Sequence, residues 1–479
     1  MKLQPYPTYK DSGVPWLGDV PAHWEVLPNR TIFSERIAKG YASEPLLSVT
    51  IRQGIIRQES LLTDTSKKDS SNDDKSNYKL VESGDIAYNK MRAWQGAIGL
   101  SEFRGIVSPA YVVIRPQVQL HPRYYHYLYR TPAFAKEAER WSYGITSDQW
   151  SLRYKDFKAI YSLLPPLPEQ HAIARFLDHI DRRVNRYVRA KRQLIALLNE
   201  QKQAIIHHAV TRGLDPDASL KPSGVEWLGD IPAHWEVVRL KYVGVVQTGI
   251  TLGKNYGVTD KLSEYPYLRV ANVQDGFLNL GSIKTISLPS QEAATSMLQA
   301  GDVLMTEGGD IDKLGRGYTW QNEIPGCLHQ NHIFAVRAYQ NRLRPEYLAV
   351  LMTSKHGRNY FQHTAKQTTN LASTNSTTLR AFPMPLPQIE EQESILIWIK
   401  EATKTLDDAS RRAISQIDLI REYRTRLISD VVTGKVDVRA TVAALPDEWP
   451  GDEIGEPDSY DGESAEEPEE ELEAAFDGD

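Results

Sequence analysis

The sequence predicts an α+β fold: two similar, β-rich modules, each followed by a long helix, with the two helices packed against one another. Three observations predict it. A fifteen-residue phrase occurs twice, as SGVPWLGDVPAHWEV over Ser12–Val26 and as SGVEWLGDIPAHWEV over Ser223–Val237. A second pattern, L-P-x-x-x-E-Q-x-x-I, recurs at Leu164–Ile173 and Leu386–Ile395. After each copy of that second pattern, apolar residues return in alternating steps of four and three over more than four repeats.

The chain is therefore a duplication with constant ends and a variable middle. The two phrases differ at two positions only, Pro15 against Glu226 and Val20 against Ile231, and lie 211 residues apart. The helix entries are offset by 222, and the same offset pairs Ile206 with Ile428, Val210 with Val432, Thr211 with Thr433 and Asp215 with Asp437. All of the extra length, 11 residues, falls in the second middle. In order, the expected parts are a first module over 1–165, a helix over 166–213, a second module over 214–386, a helix over 387–437 and an acidic segment over 438–479.

Within the first middle, LLSVTIRQGII, SGDIAYNKM and GIVSPAYVVIRP are short β-branched or aromatic runs bounded by Gly and Pro, followed by a helix over HPRYYHYLYRTPAFAKEAERW. The second offers YPYLRVANV, GDVLMTEGG and HIFAVRAY, then a helix around Pro345–Tyr360. Both middles contain Gly-Asp followed by a strand (Gly84-Asp85 and Gly301-Asp302), which predicts a shared fold with different surfaces.

Prolines at 165, 166 and 168 stop the preceding strand and are tolerated in a first helical turn. The first helical seam then reads Ile173, Leu177, Ile180, Val184, Tyr187, Lys191, Leu194, Leu198, Gln201 and Ile205. Its counterpart reads Ile395, Ile399, Ala402, Leu406, Ala409, Ala413, Gln416, Ile420, Tyr423 and Leu427. A helix from Glu169 to Thr211 spans about 60 Å. So few apolar residues lie outside the seam that mutual packing is expected, in preference to each helix lying on its own module.

The net charge of −6 averages two different materials. From Thr441 onward there are sixteen Asp and Glu and no Lys or Arg, so residues 1–440 carry +10. A basic folded part suits a polyanionic partner. The acidic segment has too little apolar content to offset its ordering entropy, and disorder is expected there. A single cysteine, Cys327, excludes an internal disulfide framework and suits a reducing compartment. The N-terminus MKLQPYPTYK has no apolar signal core and no run approaches a membrane span, so a soluble cytoplasmic protein with no membrane partner is expected.

Catalytic patterns are sparse. GITLGKN over Gly249–Asn255 has the wrong spacing for a phosphate loop and lacks Ser or Thr after Lys254. Paired-Cys zinc spacing and a G-x-S-x-G elbow are missing. Cys327, His329 and His332 read as ordinary strand residues rather than metal ligands. Asp302, Glu307, Asp310 and Asp312 offer the one enzymatic alternative, a stand-alone Mg-dependent nuclease. No catalytic residue and no metal site is assigned.

Recognition chemistry is richer. Arg52, Arg57, Lys90, Arg92, Trp94, Gln95 and Arg104 gather around the strands and turns of the first middle. Arg269, Asn272, Gln274, Lys313, Arg316, Tyr318, Gln330, Asn331 and His332 do so in the second. Arg and Lys donate to phosphates or guanine edges, and Asn and Gln pair bidentately with adenine, so the two sets form a candidate DNA-binding face. The first helix adds Arg175, Arg182, Arg183, Arg186, Arg189, Lys191 and Arg192 against Asp178 and Asp181, a surplus that fits DNA phosphates or another protein subunit equally well.

Taken together, the doubled phrase, the doubled helix entry and the segments GDVLMTEGGD and CLHQNHIF resemble the specificity (S) subunits of type I restriction–modification systems, across nearly all of residues 10–437. The resemblance implies two target recognition domains in a pseudo-two-fold arrangement, each reading half of a bipartite site in double-stranded DNA. It implies that the two helices form an antiparallel coiled coil that sets their spacing. It further implies two methyltransferase (M) subunits and restriction (R) subunits as partners. S-adenosylmethionine, ATP and Mg would be used by those partners, and no cofactor would be bound by this chain. A DNA-binding scaffold of a related phage-defence system is the non-enzymatic alternative. The acidic segment lies outside the family pattern.

Overall fold

The computed structural model describes residues 3–51, 53–62, 74–144, 150–257, 261–274, 276–309, 314–315, 317–367 and 372–446. The chain divides into two compact units, one of Met1–Ala190 with the chain from Ser415, the other of Lys191–Ile414. Each unit is built on a four-stranded antiparallel sheet. In the first the order is Phe33–Glu35, Tyr111–Pro116, Ile86–Asn89, Ile98–Leu100. In the second it is Gly244–Thr248, Ile333–Ala338, Val303–Thr306, Gly317–Thr319. Corresponding strands take corresponding places, so the middles share a fold, as their Gly-Asp turns suggest. The central strands VVI and IFAV are buried on both faces, which is why they read as continuous apolar runs.

The Gly-Asp turn has one job in both units. Gly84 and Gly301 sit at φ 94° and 91°, a left-handed conformation that suits glycine. The following carboxylate accepts from the backbone three residues earlier, Asp85 from Glu82 N at 2.9 Å and Asp302 from Gln299 N at 2.8 Å. An arginine fork closes each carboxylate, from Arg36 on Asp85 and from Arg337 on Asp302. The second unit adds a three-stranded sheet of Lys284–Pro289, Leu262–Leu268 and Leu328–His329, which absorbs part of its extra length.

The helix expected over residues 121–141 is two, Pro122–Tyr129 and Pro132–Arg140, because Pro132 cannot continue the first and Thr131 caps the second. The counterpart is likewise two, Pro345–Thr353 and Lys355–Thr364.

The long helices run Leu167–Arg212 and Ile389–Val432. The second ends at Val432, five residues before the expected 437, and Gly434 follows with φ 78°. Residues 438–446, expected to belong to the acidic segment, are instead folded: Arg439–Ala443 is helical, and Val438 and Val442 are buried in the first unit's core. The acidic residues from 447 onward lie outside the described residues.

In the first unit Asp181 is forked by Arg424 at 2.7 and 2.9 Å, and Tyr187 meets Gln416 at 3.3 Å. In the second Lys202 meets Asp407 at 2.6 Å. Rising numbers on one helix match falling numbers on the other, so the pair is antiparallel. The inward stripe departs from the expected heptad, however. It passes through Ile173, Leu177, Ile180, Val184, Val188, Lys191, Ile195, Lys202 and Ile206 on one helix. On the other it passes through Ile395, Ile399, Ala402, Leu406, Ala413, Ile417, Arg424 and Ile428. Ile173, Val184, Ile195 and Ile206 are spaced by 11, as are Ile395, Leu406, Ile417 and Ile428. An 11-residue repeat, about 3.67 residues per turn, keeps the stripe nearly straight along a helix. Tyr187, Leu194 and Tyr423, placed in the seam by the heptad, are instead 39%, 40% and 53% exposed. Ile180, Leu198, Leu406 and Ile420 are half-buried, and Leu177, Val184, Ile399 and Leu427 are buried.

The helix ends belong to the modules. The first unit's core takes Ile173, Phe176 and Leu177 from the start of one helix and Leu427, Ile428, Val431 and Val432 from the end of the other. The second takes Ile395 and Ile399 from a start and Ile206, Ala209 and Val210 from an end. Each module is thus completed by the far end of the other module's helix.

One buried histidine makes the second unit acid-sensitive. His356 is fully buried; its Nε2 donates to Pro383 O at 2.7 Å and its Nδ1 has no partner among the described residues. Burial, with the nearby His207 adding to it, pushes its pKa down to about 4. The unfolded chain therefore binds more protons, and this stabilisation, full above about pH 6.5, is lost as pH falls toward 4. His356→Gln keeps a donor for Pro383 and removes the titration. Unfolding free energies from denaturant titrations at pH 7 to 4 should fall less steeply for the variant, by up to about 3 kcal/mol over that range.

Candidate nucleic-acid interface and its docking frame

The repeated phrase folds twice into one clasp. Short hairpins, Tyr9–Asp11 with Asp19–Pro21 and Leu220–Pro222 with Asp230–Pro232, carry it in the same register. Trp24, fully buried, donates from Nε1 to Glu169 at 2.9 Å, and His23 Nε2 lies 2.7 Å from the other oxygen of that carboxylate. Trp235 and His234 hold Glu391 in the same way, both at 3.0 Å. Each indole also packs on the glycine that ends the opposite helix. A Cβ on Gly434 would lie 2.4 Å from Pro21 Cδ and 3.0 Å from Trp24, and one on Gly213 would lie 3.3 Å from Trp235. One Pro-Ala-His-Trp therefore grips the start of one helix and the end of the other.

The glutamine after each clasp glutamate ties in the variable middle. Gln170 accepts from His121 N at 2.8 Å and donates to Pro165 O, while Gln392 accepts from Arg344 N at 2.8 Å and donates to Pro387 O. His121 and Arg344 each precede a Pro-x-Tyr that opens a helix. Tyr124 donates to Val432 O at 2.8 Å, and Tyr347 to Val210 O at 3.4 Å and Pro385 O at 3.1 Å. Burial raises the pKa of both tyrosines well above the usual range, so they stay neutral donors. Sequence reasoning missed this Pro-x-Tyr pair, although His-Pro-Arg-Tyr and Arg-Pro-Glu-Tyr stand at matching places in the two halves.

Against that constant frame the variable loops differ. In the first module Lys90, Arg92, Trp94 and Gln95 come together on a tight turn, Ala93–Gln95, that leaves the Ile86–Asn89 strand. Buried Ala93 anchors the turn, and Trp94 donates to Met91 O at 2.9 Å and meets Trp150 edge-on at 5.7 Å. Arg92 and Gln95 are exposed, and Lys90 is half-buried. Arg57 is exposed on a separate hairpin, 5.1 Å over the Phe103 ring. Arg104 is held by Glu44 and Glu82, which leaves it a structural tie more than a reader of DNA. Arg52 lies outside the described residues.

In the second module two segments are brought side by side, Arg269–Gln274 and Gln330–His332, because Gln330 N donates to Leu268 O at 2.9 Å. Gly249 admits a third: a Cβ there would fall 2.1 Å from His329 O, which gives GITLGKN a packing role in place of a phosphate-binding one. Gln330 and Asn331 are half-buried, and their side chains make no hydrogen bond among the described residues. Other assignments need correction. Asn272 is buried, with its oxygen on Arg269 N and its amide on Asn279 O and Ser282 O, so it clamps its own turn and is not free to pair with a base. Arg269 is 8% exposed, Gln274 donates to Ala271 O, Tyr318 donates to Glu323 and His332 pairs with Glu307 at 2.8 Å. Lys313 and Arg316 lie outside the described residues, as do Asp310 and Asp312.

The nuclease alternative loses its central carboxylate. Asp302 is 1% exposed and fully engaged by Arg337 and Gln299, and Glu307 is engaged by His332. Among the described residues no group of His, Cys, Asp and Glu has metal-binding geometry, and none of the helices is long and apolar enough to cross a membrane.

A frame made twice from the same residues, presenting two loop clusters that differ, defines a two-module recognition scaffold. The family model described as the type I restriction modification DNA specificity domain matches the chain twice, over residues 30–196 and 232–417, and the chain belongs to that family. It is similar to the EcoKI specificity subunit of Escherichia coli K12, 20% identical over 333 residues, covering 68% of each chain. It is also similar to the MjaVIII specificity subunit of Methanocaldococcus jannaschii, 25% identical over 299 residues, covering 60% of this chain and 64% of that one. A third relative, the MjaX specificity subunit of Methanocaldococcus jannaschii, is 24% identical over 235 residues, and the chain spans about half (53%) of its length. A solved structure from work on complex assembly and conformational transition of the type I R-M system has the same fold. Its TM-score is 0.57 at 16% identity, over 86% of this chain and 98% of that one.

Proposed function

We propose that this chain is the non-catalytic DNA-specificity subunit of a cytoplasmic type I restriction–modification complex. Each module reads one half of a bipartite duplex site, and the chain docks two methyltransferase subunits and the restriction subunits. The observation that carries this reading is the division of labour between the halves. His-Trp, Glu-Gln and Pro-x-Tyr make the same contacts in both units, whereas the residues at the loop tips (Arg92 and Gln95 in one, Gln330 and Asn331 in the other) do not correspond. Shared contacts fix geometry, and differing side chains discriminate bases. Chemistry in the complex belongs to the partners, which supply S-adenosylmethionine-dependent methylation and ATP- and Mg-dependent cleavage.

Genome-wide mapping of methylated adenines in cells carrying the complex tests the proposal. Two short motifs separated by a constant stretch of unspecified sequence are expected. Methylation confined to one continuous motif, or scattered without a motif, contradicts it.

A further inference from the structure

The described chain ends beside an arginine stripe. Val438 and Val442 anchor the short helix Arg439–Ala443 in the first unit's core, and Arg175 then donates to Leu445 O at 3.3 Å and Pro446 O at 3.0 Å. Arg175 begins a row on the first long helix: Arg175, Arg182, Arg186 and Arg189 follow at steps of seven, four and three, which places them on one face. That face is opposite the buried stripe of Leu177, Val184 and Val188, and all four arginines are exposed, as is the adjacent Arg183. Among the described residues Arg182, Arg183 and Arg189 form no ion pair. The nearest carboxylates on the helix are committed elsewhere, Asp178 to Arg123 and Tyr127, Asp181 to Arg424.

The segment that follows Pro446 has the complementary charge. Residues 447–479 hold sixteen Asp and Glu and no Lys or Arg, and the first twelve, DEWPGDEIGEPD, already hold six. The stripe from Arg175 to Arg189 is about 21 Å long at the helical rise. An extended chain covers that length in about seven residues.

The geometry points to residues 447–458 as the occupant of this stripe: an intramolecular polyanion, delivered at Arg175, that lies along Arg182, Arg183, Arg186 and Arg189. The contact is a property of this chain alone. Its consequence, that duplex DNA of arbitrary sequence must displace the acidic segment to reach those arginines, rests on the DNA-specificity reading. Non-specific binding is mainly a phosphate–cation interaction, so an internal competitor weakens it while leaving base readout in the loops untouched.

Two arms test it on the full-length chain. A benzoylphenylalanine photo-crosslinker at Arg182 should join peptides from 447–458; crosslinks that omit this segment overturn the proposal whatever the chain does to DNA. Replacing the six carboxylates of 447–458 with their amides should tighten binding to a random-sequence duplex about tenfold at ~50 mM salt, the gap closing as salt rises. The triple variant Arg182→Gln, Arg183→Gln and Arg189→Gln should abolish that gain. Equal affinity with and without the carboxylates overturns the competition, and so does a gain that survives the triple variant. Crosslinking without any DNA binding would instead count against the specificity reading and leave the contact standing.

Discussion

Replacing Trp24 with alanine is expected to cost about 3–5 kcal/mol, the range for deleting a fully buried indole. Three things fail together. The core loses its largest ring, Glu169 loses a donor within a buried site, and the Gly434 turn loses the surface it packs on. Trp235→Ala should do the same to the second unit through Glu391 and Gly213. Glu169→Gln, which keeps the shape and removes the charge, should cost less, about 1–3 kcal/mol. Hydrogen exchange localises the damage: Trp24→Ala should speed exchange in strand Tyr111–Pro116, and Trp235→Ala in strand Ile333–Ala338. Protection in both strands equal to that of the unaltered chain would mean that the clasp does not hold the modules together.

The helix stripe carries the second large effect. Val188→Asp puts a carboxylate at a position that is 6% exposed; Lys191 and Arg192, three and four residues further on, offset part of that charge, and the helix pair should still lose about 2–3 kcal/mol. Tyr187→Asp, one residue away, should cost under about 1 kcal/mol because Tyr187 is already 39% exposed. The ratio of the two distinguishes the 11-residue register from a heptad, in which Tyr187 would be the costly position. Denaturant unfolding of the two variants side by side provides the measurement.

Much of the architecture was legible because duplication repeats both sequence and contact. The offset of 211 marked the clasp hairpins, the offset of 222 marked the helices, and the Gly-Asp pairs marked equivalent turns. The register of the inward stripe was not legible. Tyr187 and Val188 are both apolar enough to face inward, and only the drift between 3.5 and about 3.67 residues per turn, accumulated over a long helix, separates them. The completion of each module by the other's helix end was half visible: Val210 and Val432 were paired by sequence, but pairing does not say which core receives them. At the loops, residue type was a poor guide. Asn272 has the amide that could pair with adenine and commits it to Asn279 and Ser282, whereas the side chains of Gln330 and Asn331 make no such bonds among the described residues. Propensity and charge identify groups able to read DNA; only the local turn decides which of them are already used.

If the frame is constant and the reading lies in the middles, exchanging one middle should exchange one half-site. Residues 244–382 would be replaced by the corresponding stretch of a family member whose complex methylates a different site, and methylated adenines mapped in cells carrying the hybrid complex. One half-site should change to the donor's and the other stay as it was. If both half-sites change, or neither does, the constant frame and the variable readers are not separate parts.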